Sequence, residues 1–398
     1  MTRALLLTLT LAAPAVAEES VGFTEAEVKR LLQHSPLPPP PADETNAKAD
    51  DPAAVRLGRA LFFDARLSGS GRFACASCHQ PERSWTDGLP LAHGAETGRR
   101  HTPSLWNVAY NRWYFWDGRA DSLWSQALQP LESAHEMAGS RDGVARLVRE
   151  DAALRREYEA AFGPLPAPGD PDAVTRVFVG SGKALAAFER TLLSRRAPFD
   201  LFVEALRRGD LAGQSVLGPA AQRGAKLFVG RAGCRVCHAG PTFSDGEFHD
   251  IGLRQAATPD AGRLEGIDRL RQGEFGSGSR WSDATDGPRA RYTRFLARAP
   301  HAQGQFKTPT LRNVALTAPY MHDGRLGSLA EVLAHYSSLP GLGTPGPHQE
   351  TVLKPLALTA AETADLVAFL ESLTDAAVEP ALLRAVQGRP EPRAAIRR

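Results

Sequence analysis

The residues best suited to chemistry in this chain are four cysteines, grouped in two pairs that are each followed directly by a histidine. The pairs are Cys75-Ala76-Ser77-Cys78-His79 and Cys234-Arg235-Val236-Cys237-His238. C-x-x-C-H is the attachment signature of c-type haem, in which both thiols bind the porphyrin edge and the histidine binds the iron. Two disulfide loops or a shared zinc site would not explain why a histidine follows each pair. The sequence therefore predicts two covalently bound haem c groups, held by Cys75, Cys78, Cys234 and Cys237, with His79 and His238 as iron ligands.

A repeat surrounds the two motifs and indicates a duplicated haem domain. The segment 102–109 recurs at 308–315, an offset of 206 residues, and Trp116-Asp117-Gly118-Arg119 corresponds to His322-Asp323-Gly324-Arg325 at the same offset. We predict a mainly α fold of two tandem cytochrome c-type haem domains with long loops, whose haems face a shared domain interface. The predicted division is a signal peptide at 1–17, an N-terminal domain at 18–210 and a C-terminal domain at 211–398.

Hydrophobic periodicity predicts the helices that position the motifs. Thr359 and Glu362 form a capping-box pattern at the start of one helix, and no sustained two-residue alternation indicates a sheet. A segment rich in Arg, Gly and Ser at about 258–305 has no counterpart in the first repeat, and we predict that it is irregular and lies on the surface. Apolar residues recur at three- and four-residue spacing in the segments 53–63, 182–193, 220–228, 329–336 and 360–373.

Composition and the N-terminal pattern limit the classes of partner and location. The 398 residues carry a formal net charge of +2, which gives no support for a polyanionic nucleic acid as partner. Arg3, an apolar run at 4–13 and Ala15-Val16-Ala17 form the pattern of a cleaved secretory signal. No other stretch approaches the ~18 apolar residues that a membrane span needs. We expect a periplasmic protein with no membrane span after the signal is removed.

The two repeats differ at a position that decides the chemistry of each iron. The group that occupies the second axial site of a haem iron decides whether the haem transfers electrons or reacts with a small molecule. At the offset of 206 residues Tyr336 corresponds to Pro130, whose side chain has no donor atom. The sequence predicts that Tyr336 ligates the second iron, whereas the first iron keeps an open or weakly occupied site. Met321 and His335 are the alternatives to Tyr336.

Four side chains are candidates for assisting the cleavage of a peroxide at the open site. Cleavage of an O–O bond needs a proton to move from the inner to the outer oxygen, which a carboxyl group can do. We select Glu136 as that acid–base group and Gln126 as a hydrogen-bond donor to the bound oxygen. His93 and His135 are rival distal groups. His93 is also a candidate ligand of the first iron in a resting state.

Trp116 differs from its counterpart His322 directly before the shared Asp-Gly-Arg turn. If the repeats face each other, both residues point towards the space between the haems. A tryptophan there can carry an electron hole by hopping, although most tryptophans are simply large core residues.

Together these features resemble the bacterial di-haem cytochrome c peroxidase and MauG family, over essentially the whole mature chain. The resemblance is carried by both C-x-x-C-H motifs, by the segments 115–119 and 311–320, and by Glu136-Met137. It implies that the first haem is the peroxidatic one and that the second accepts or stores electrons. It assigns Glu136 as the distal glutamate, Gln126 as the distal glutamine and Trp116 as the inter-haem tryptophan.

Tyr336 stands where conventional peroxidases of this family carry methionine, and in this respect the chain resembles the MauG-like branch. The proline-rich start and the insertion from Asp260 onwards resemble its methanobactin-associated sub-branch. The MauG resemblance implies an oxidoreductase that uses hydrogen peroxide to form a high-valent di-haem state and then oxidises a residue of a periplasmic partner protein. The alternative is a cytochrome c peroxidase that takes electrons from a small cytochrome or copper protein. A third reading is an electron-transfer cytochrome with both irons six-coordinate.

Three positions depart from the family pattern. One is Ala232, two residues before the second motif, where MauG has a surface tryptophan that reaches its partner. The inter-haem calcium of the family uses an asparagine where this chain has His101, together with carbonyls at Thr317 and Pro319. Histidine is a poor ligand for a hard cation, so calcium is doubtful here. His93 matches a histidine that conventional peroxidases use as a reversible ligand and that MauG lacks, so the resting ligand of the first iron stays open.

Overall fold

Helices dominate the fold, as the sequence predicted. The computed structural model describes residues 21–167, 169–194, 196–253, 260–340 and 352–375, so the predicted signal peptide lies outside the described residues. Within these ranges no helix combines the length and the apolar character needed to cross a bilayer.

Two short strands, β1 (Phe248–His249) and β2 (Phe306–Lys307), pair antiparallel with Phe248 opposite Lys307. The helices are α1 (Glu25–Leu31), α2 (Pro52–Phe62), α3 (Cys75–Cys78), α4 (Leu123–Glu132), α5 (Arg141–Glu150), α6 (Ala152–Phe162), α7 (Ala173–Glu189), α8 (Pro198–Arg208), α9 (Pro219–Val229), α10 (Arg263–Gln272), α11 (Pro288–Arg294), α12 (Leu329–Ser338) and α13 (Ala360–Glu371).

Local signals explain where these helices begin. The predicted capping box is present: the Glu362 amide donates to the Thr359 hydroxyl, and the Thr359 amide donates to the Glu362 carboxylate. Asp51 caps α2 by accepting from the amides of Ala53 and Ala54, with Pro52 in the first turn. The five segments predicted from periodicity overlap α2, α7, α9, α12 and α13.

A closely packed helix crossing is repeated in both halves. In the first half α2 crosses α7 at Gly58, and in the second half α9 crosses α13 at Gly224. A Cβ atom on Gly58 would overlap the carbonyl oxygen of Ala184, and one on Gly224 would overlap that of Asp365. Glycine is therefore required at both positions, because only a residue without a side chain lets the two backbones approach this closely.

Two hydrophobic clusters form the core. The first is built from α2, α4, α5 and α7, with Trp85 and Phe62 fully buried. The second is built from α8, α9, α12 and α13, together with Leu31 of α1. Helix α8 precedes the predicted boundary at 210/211 yet packs in the second cluster. The division into residues 18–210 and 211–398 stays a prediction.

Ser194 joins the two clusters. Its hydroxyl accepts hydrogen bonds from the side-chain amides of Asn107, at 2.8 Å, and Asn313, at 2.7 Å. These asparagines are equivalent in the repeat, and both have left-handed backbones, with φ of 61° and 62°. The backbone amide of Asn107 donates to the Leu192 carbonyl, and the backbone amide of Asn313 donates to the Leu373 carbonyl. The two halves therefore meet through matching turns.

The insertion is more ordered than the sequence predicted. Residues 260–305 contain α10 and α11 rather than irregular chain, although residues 254–259 lie outside the described ranges. Helix α10 packs on the turn that follows Trp116. There Arg263 donates to the carbonyls of Asp117 (3.2 Å) and Gly118 (2.8 Å). The prediction of irregular structure was wrong, because this contact, and not an apolar stripe, holds the helix in place.

Candidate haem site

Residues of both C-x-x-C-H motifs line one cavity of about 1110 Å³. Single-ligand pockets measure about 300–1,000 Å³, so the space is large for one small molecule. The predicted site residues that line it are Cys75, Cys78, His79, Trp116, Gln126, Pro130, His135, Glu136, Cys234, Cys237, His238, Met321 and Tyr336.

The first motif presents its histidine in one defined orientation. Its two cysteines are the first and last residues of α3, and both thiols are free. The Nδ1 atom of His79 lies 3.0 Å from the carbonyl oxygen of Trp85. Because a carbonyl only accepts, Nδ1 carries the proton and Nε2 remains available as a metal ligand. Burial lowers the pKa of His79, which favours the neutral imidazole that binds iron.

The second motif repeats this arrangement in a single 3₁₀ turn that begins at Cys234. The Nδ1 atom of His238 lies 2.9 Å from the carbonyl oxygen of Phe243, and burial lowers the pKa of His238. The two accepting residues, Trp85 and Phe243, both have left-handed backbones, with φ of 62° and 52°. Each histidine is thus fixed by the same turn geometry.

A cation in the cavity also fits haem. Burial lowers the pKa of Lys307 to about 8, and Asp245 opposes this shift. The Lys307 ammonium donates to the Thr308 carbonyl at 3.5 Å, and Asp245 pairs with His249 at 2.9 Å. A haem carries two carboxylates, which are the kind of partner that a buried cation needs. The free thiol pairs, the oriented histidines and this cation fit two haem c groups.

A possible metal site overlaps the second motif. Ligand atoms of Cys237, Asp245 and His249 lie within 4.8 Å of one another. Conversion of Cys237 to a thioether removes the thiolate that such a site would use. This cluster therefore belongs to the haem motif.

The predicted axial residues of the second haem face the cavity. Tyr336 is on α12, close enough to Cys234 and Cys237 for their charges to raise its pKa in addition to burial. Met321, the first alternative, also lines the cavity, whereas the Nε2 atom of His335 is 3.1 Å from the carbonyl oxygen of Ile251. The Nε2 atom of His335 is thus engaged by a backbone carbonyl, and His335 is not among the residues that line the cavity.

Glu136 and Gln126 lie on the cavity wall with Pro130. Burial raises the pKa of Glu136 above its usual range, and the positive charges of Arg119 and His135 oppose that rise. The Arg119 Nη2 atom is 3.8 Å from the Glu136 Oε1 atom. A carboxyl group whose pKa is raised in this way is a better proton donor partner for general acid–base catalysis than an ordinary carboxyl group.

The rival histidines are placed differently. His93 is exposed, with Nδ1 at 3.1 Å from the Thr97 hydroxyl, and it is not among the residues that line the cavity. His135 reaches the cavity edge, where it pairs with Glu96.

On the wall of the cavity the two repeats exchange backbone hydrogen bonds. The His101 amide donates to the His322 carbonyl, and the Lys307 amide donates to the Trp116 carbonyl, each at 2.8 Å. His101 and Lys307 occupy equivalent positions in the two repeats, as do Trp116 and His322. The Trp116 indole also donates to the His101 carbonyl at 2.9 Å, and Phe306 stacks on His322 with ring centres 3.6 Å apart. Trp116 is therefore fixed between the two motifs.

His101 has a partner other than a cation. Its Nδ1 atom lies 2.8 Å from the Leu89 carbonyl oxygen, and burial lowers the pKa of the imidazole. Thr317 and Pro319 also border the cavity. Calcium at this point stays an expectation from the family, with which the imidazole of His101 does not fit.

Sequence reasoning did not select three cavity residues: Arg119, Glu189 and Lys307. Lys307 was detectable as the repeat counterpart of His101. Arg119 was detectable as part of a repeated Asp-Gly-Arg turn. Glu189 carries no motif and is recognised only from its burial.

The chain is similar to di-haem enzymes along nearly its full length. A family profile described as "Di-haem cytochrome c peroxidase" matches residues 52–208. Methylamine utilization protein MauG of Methylorubrum extorquens is 38% identical over 374 residues, covering 94% of this chain and 90% of that protein. Cytochrome-c peroxidase IdrP1 of Denitromonas iodatirespirans is 37% identical over 347 residues, covering 85% of each chain. Among solved structures, a MauG-like protein associated with microbial copper homeostasis is 30% identical, with a TM-score of 0.65 and coverage of 88% of this chain and 95% of that one.

Proposed function

Since the chain belongs to the bacterial di-haem cytochrome c peroxidase and MauG family, we propose that it is a MauG-type oxidoreductase. In this proposal hydrogen peroxide is the oxidant and a residue of a partner protein is the final electron donor. Its two covalently bound haem c groups, when present, supply the redox chemistry with peroxide.

The residues that would hold these groups are the two cysteine pairs, with His79 and His238 as iron ligands. The support for this assignment is the matched orientation of the two imidazoles, each fixed at Nδ1 by a backbone carbonyl. Tyr336 would supply an oxygen ligand at the second haem. Lys307 would pair with a haem carboxylate.

At the first haem the protein's own contribution is proton transfer. Glu136 would accept a proton from one oxygen of hydrogen peroxide and return it to the other, while Gln126 would donate a hydrogen bond to the bound oxygen. Arg119, 3.8 Å from Glu136, limits the rise in the pKa of this carboxyl, so that the anion that accepts the proton stays accessible. Pro130 leaves space and supplies no competing ligand.

Trp116 would carry the electron hole between the two haem regions. Its indole and its carbonyl are both hydrogen-bonded, one to each repeat, which fixes the ring in the wall of the cavity. The His101 carbonyl oxygen, which accepts the hydrogen bond from the indole, would stabilise the positive charge of an oxidised Trp116 ring.

One observation carries the MauG-type assignment: Tyr336 lies in the cavity beside the second motif, at the position where the first repeat has Pro130. A phenolate ligand stabilises oxidised iron and so suits retention of an oxidising equivalent. It is less suited to accepting electrons from a high-potential cytochrome.

The test compares wild-type holoprotein with Tyr336→Phe. Both proteins should contain two haems per chain, and ferric wild-type protein should give one high-spin and one low-spin electron paramagnetic resonance signal. The low-spin signal should change in Tyr336→Phe while the high-spin signal stays. An unchanged low-spin signal would remove Tyr336 as a ligand.

Turnover separates the two family functions. We expect slow peroxide reduction with reduced cytochrome c, and peroxide-dependent oxidation of aromatic residues in a protein partner, detected by mass spectrometry. Rapid turnover with the cytochrome would instead make the protein a conventional peroxidase. Two low-spin haems with no response to peroxide would identify an electron-transfer cytochrome.

The predicted signal at 1–17 supports a periplasmic location as part of this proposal. Export would place the chain where its partner and the haem-attachment machinery are expected. Sequencing the N-terminus of the mature protein tests this, and a chain that retains residues 1–17 would contradict it.

A further inference from the structure

The repeated helix crossing identifies which residues of α7 and α13 are equivalent. Ala184 and Asp365 meet the two crossing glycines, an offset of 181 residues. The same offset relates Phe188, whose ring centre is 5.2 Å from that of Phe62, to Phe369, at 4.9 Å from Phe228. The last residue of α7 therefore has a definite counterpart in the second repeat.

That residue is Glu189, and its counterpart is Leu370. Both are buried, and both line the cavity. The first repeat thus places a carboxyl group where the second repeat has an apolar side chain. Glu189 lies on the side of the first motif, since its charge contributes to raising the pKa of the Cys75 thiol.

Among the described residues, one oxygen of this carboxyl has no hydrogen bond to offset the cost of its burial. The Glu189 Oε2 atom is buried without a hydrogen bond in the part of the chain that the structure describes. Burial alone raises the pKa of Glu189 to about 8, so the group is mainly neutral at pH 7.

The charged residues on the surrounding elements act elsewhere. On α7 and next to it, Lys183 pairs with Asp283 and Arg190 with Asp50. Other charged side chains lie on the helices that pack against α7, and none of them contributes to the shift at Glu189; they are Arg56 and Arg59 of α2, Glu132 of α4, Arg141, Asp142, Arg146, Arg149 and Glu150 of α5, and Arg155, Arg156, Glu157 and Glu159 of α6.

We propose that Glu189 is a charge-compensating residue of the first haem, which holds a proton while that haem is reduced and releases it to solvent when the haem loses an electron. One electron leaves the haem for the oxidant and one proton leaves the carboxyl, and both return on reduction. The net positive charge that oxidation creates in a buried site is then balanced by the Glu189 carboxylate.

The asymmetry of the repeats supports this role. In the proposed function the second haem receives a negative charge from Tyr336, so the same helix position there needs none and is Leu370. The inference rests on haem attachment at Cys75 and Cys78, and it holds for a MauG-type enzyme and for a conventional peroxidase alike.

The test measures the reduction potentials of both haems in the holoprotein between pH 5 and 10 by spectroelectrochemistry. Oxidation lowers the proton affinity of Glu189, so the potential of the first haem should fall with rising pH in a window that ends near pH 8. One proton per electron gives a slope of about 59 mV per pH unit, the value of a tenfold change in a one-electron equilibrium. Glu189→Gln should flatten this slope, and Glu189→Asp should restore it.

The matched control is Leu370→Met, which changes the equivalent position without adding a titratable group and should leave the slope unchanged. If Glu189→Gln keeps the wild-type slope, the proton belongs to another group and the proposal is overturned.

A second measurement avoids dependence on folding of the Glu189→Gln chain. Redox-difference infrared spectra of Glu136→Gln holoprotein at pH 7 should lose a protonated-carboxyl band when the first haem is oxidised. Absence of that band would also overturn the proposal. The haem content of the same samples distinguishes a wrong proposal from failed haem attachment, which would leave one haem per chain. Turnover with reduced cytochrome c tests the MauG-type function separately.

Discussion

At the scale of single residues, Glu136 is governed by two opposing effects. Burial raises its pKa, and the Arg119 guanidinium at 3.8 Å acts in the opposite direction. Arg119 is itself shared, because its Nη1 atom is 3.3 Å from Asp117, which also accepts from Arg100 at 2.5 Å. The positive charge available to Glu136 is therefore limited, and its pKa stays above that of an ordinary carboxyl group.

Glu136→Gln removes the acid–base group while keeping the size of the side chain. We expect peroxide consumption by the holoprotein to slow by ~10²-fold or more. Stopped-flow measurement of peroxide decay checks this. Glu132→Gln is the control, since Glu132 pairs with Arg141 outside the cavity and its loss should leave the rate unchanged.

Arg119→Gln should move the pH dependence of the reaction. Arg119 holds the pKa of Glu136 down, so its removal raises that pKa further, and a higher pH is then needed to form the carboxylate that accepts a proton. The acidic limb of kcat/KM for peroxide should shift to higher pH. Arg155→Gln, which alters an exposed pair with Glu159, should not move it. A loss of rate without a shift would mean that Arg119 acts only through structure.

The sequence identified the side chains that carry recognisable chemistry but not those defined by their surroundings. Tyr336 and Glu136 could be selected because the repeat and a resemblance pointed to them. Glu189 could not, because nothing in a linear sequence shows that a carboxyl oxygen is buried without a hydrogen bond, and Lys307 was detectable only as the repeat counterpart of His101. Their importance follows from packing, which brings residues from distant segments to one cavity.

At the scale of elements, the two glycine-centred crossings hold the helices that frame the cavity. Gly58→Ala should lower the free energy of unfolding by ~3 kcal/mol, because the new methyl group would force α2 away from the α7 backbone. Chemical denaturation checks this. Gly218→Ala is the control, since a Cβ atom there meets nothing within 4 Å. Equal effects of the two substitutions would contradict a packing role for Gly58.

Five helices with an apolar face, α2, α7, α9, α12 and α13, were predicted from spacing, whereas α10 was not. Its buried residues are Arg263, Gly266, Ile267 and Leu270, so half of the buried face is not apolar. The Arg263 guanidinium lies 4.3 Å from the Trp113 ring centre and 3.9 Å from that of Phe248. A cation stacked between aromatic rings stabilises this helix, and periodicity of apolar residues cannot reveal such a contact.

At the scale of the whole molecule, Ser194 links the two halves through one hydroxyl group. Ser194→Ala would leave the buried side-chain amides of Asn107 and Asn313 without their acceptor. Each unsatisfied buried donor costs about 1–3 kcal/mol, so we expect the loss of both hydrogen bonds to lower the free energy of unfolding by ~2–6 kcal/mol. Thermal unfolding of the holoprotein checks this. Ser215→Ala, which removes an exposed hydroxyl, is the control. If Ser194→Ala has as small an effect on stability as Ser215→Ala, Ser194 does not link the two halves.

The crossed backbone hydrogen bonds at His101 and Lys307 have a consequence for the rate of electron exchange. Each repeat supplies the amide that fixes the tryptophan or histidine of the other, so neither half can slide without breaking both bonds. In the proposed function, these two bonds would hold constant the separation across which an electron tunnels. A change in the transfer rate during turnover would then come from driving force rather than from a hinge that changes the gap.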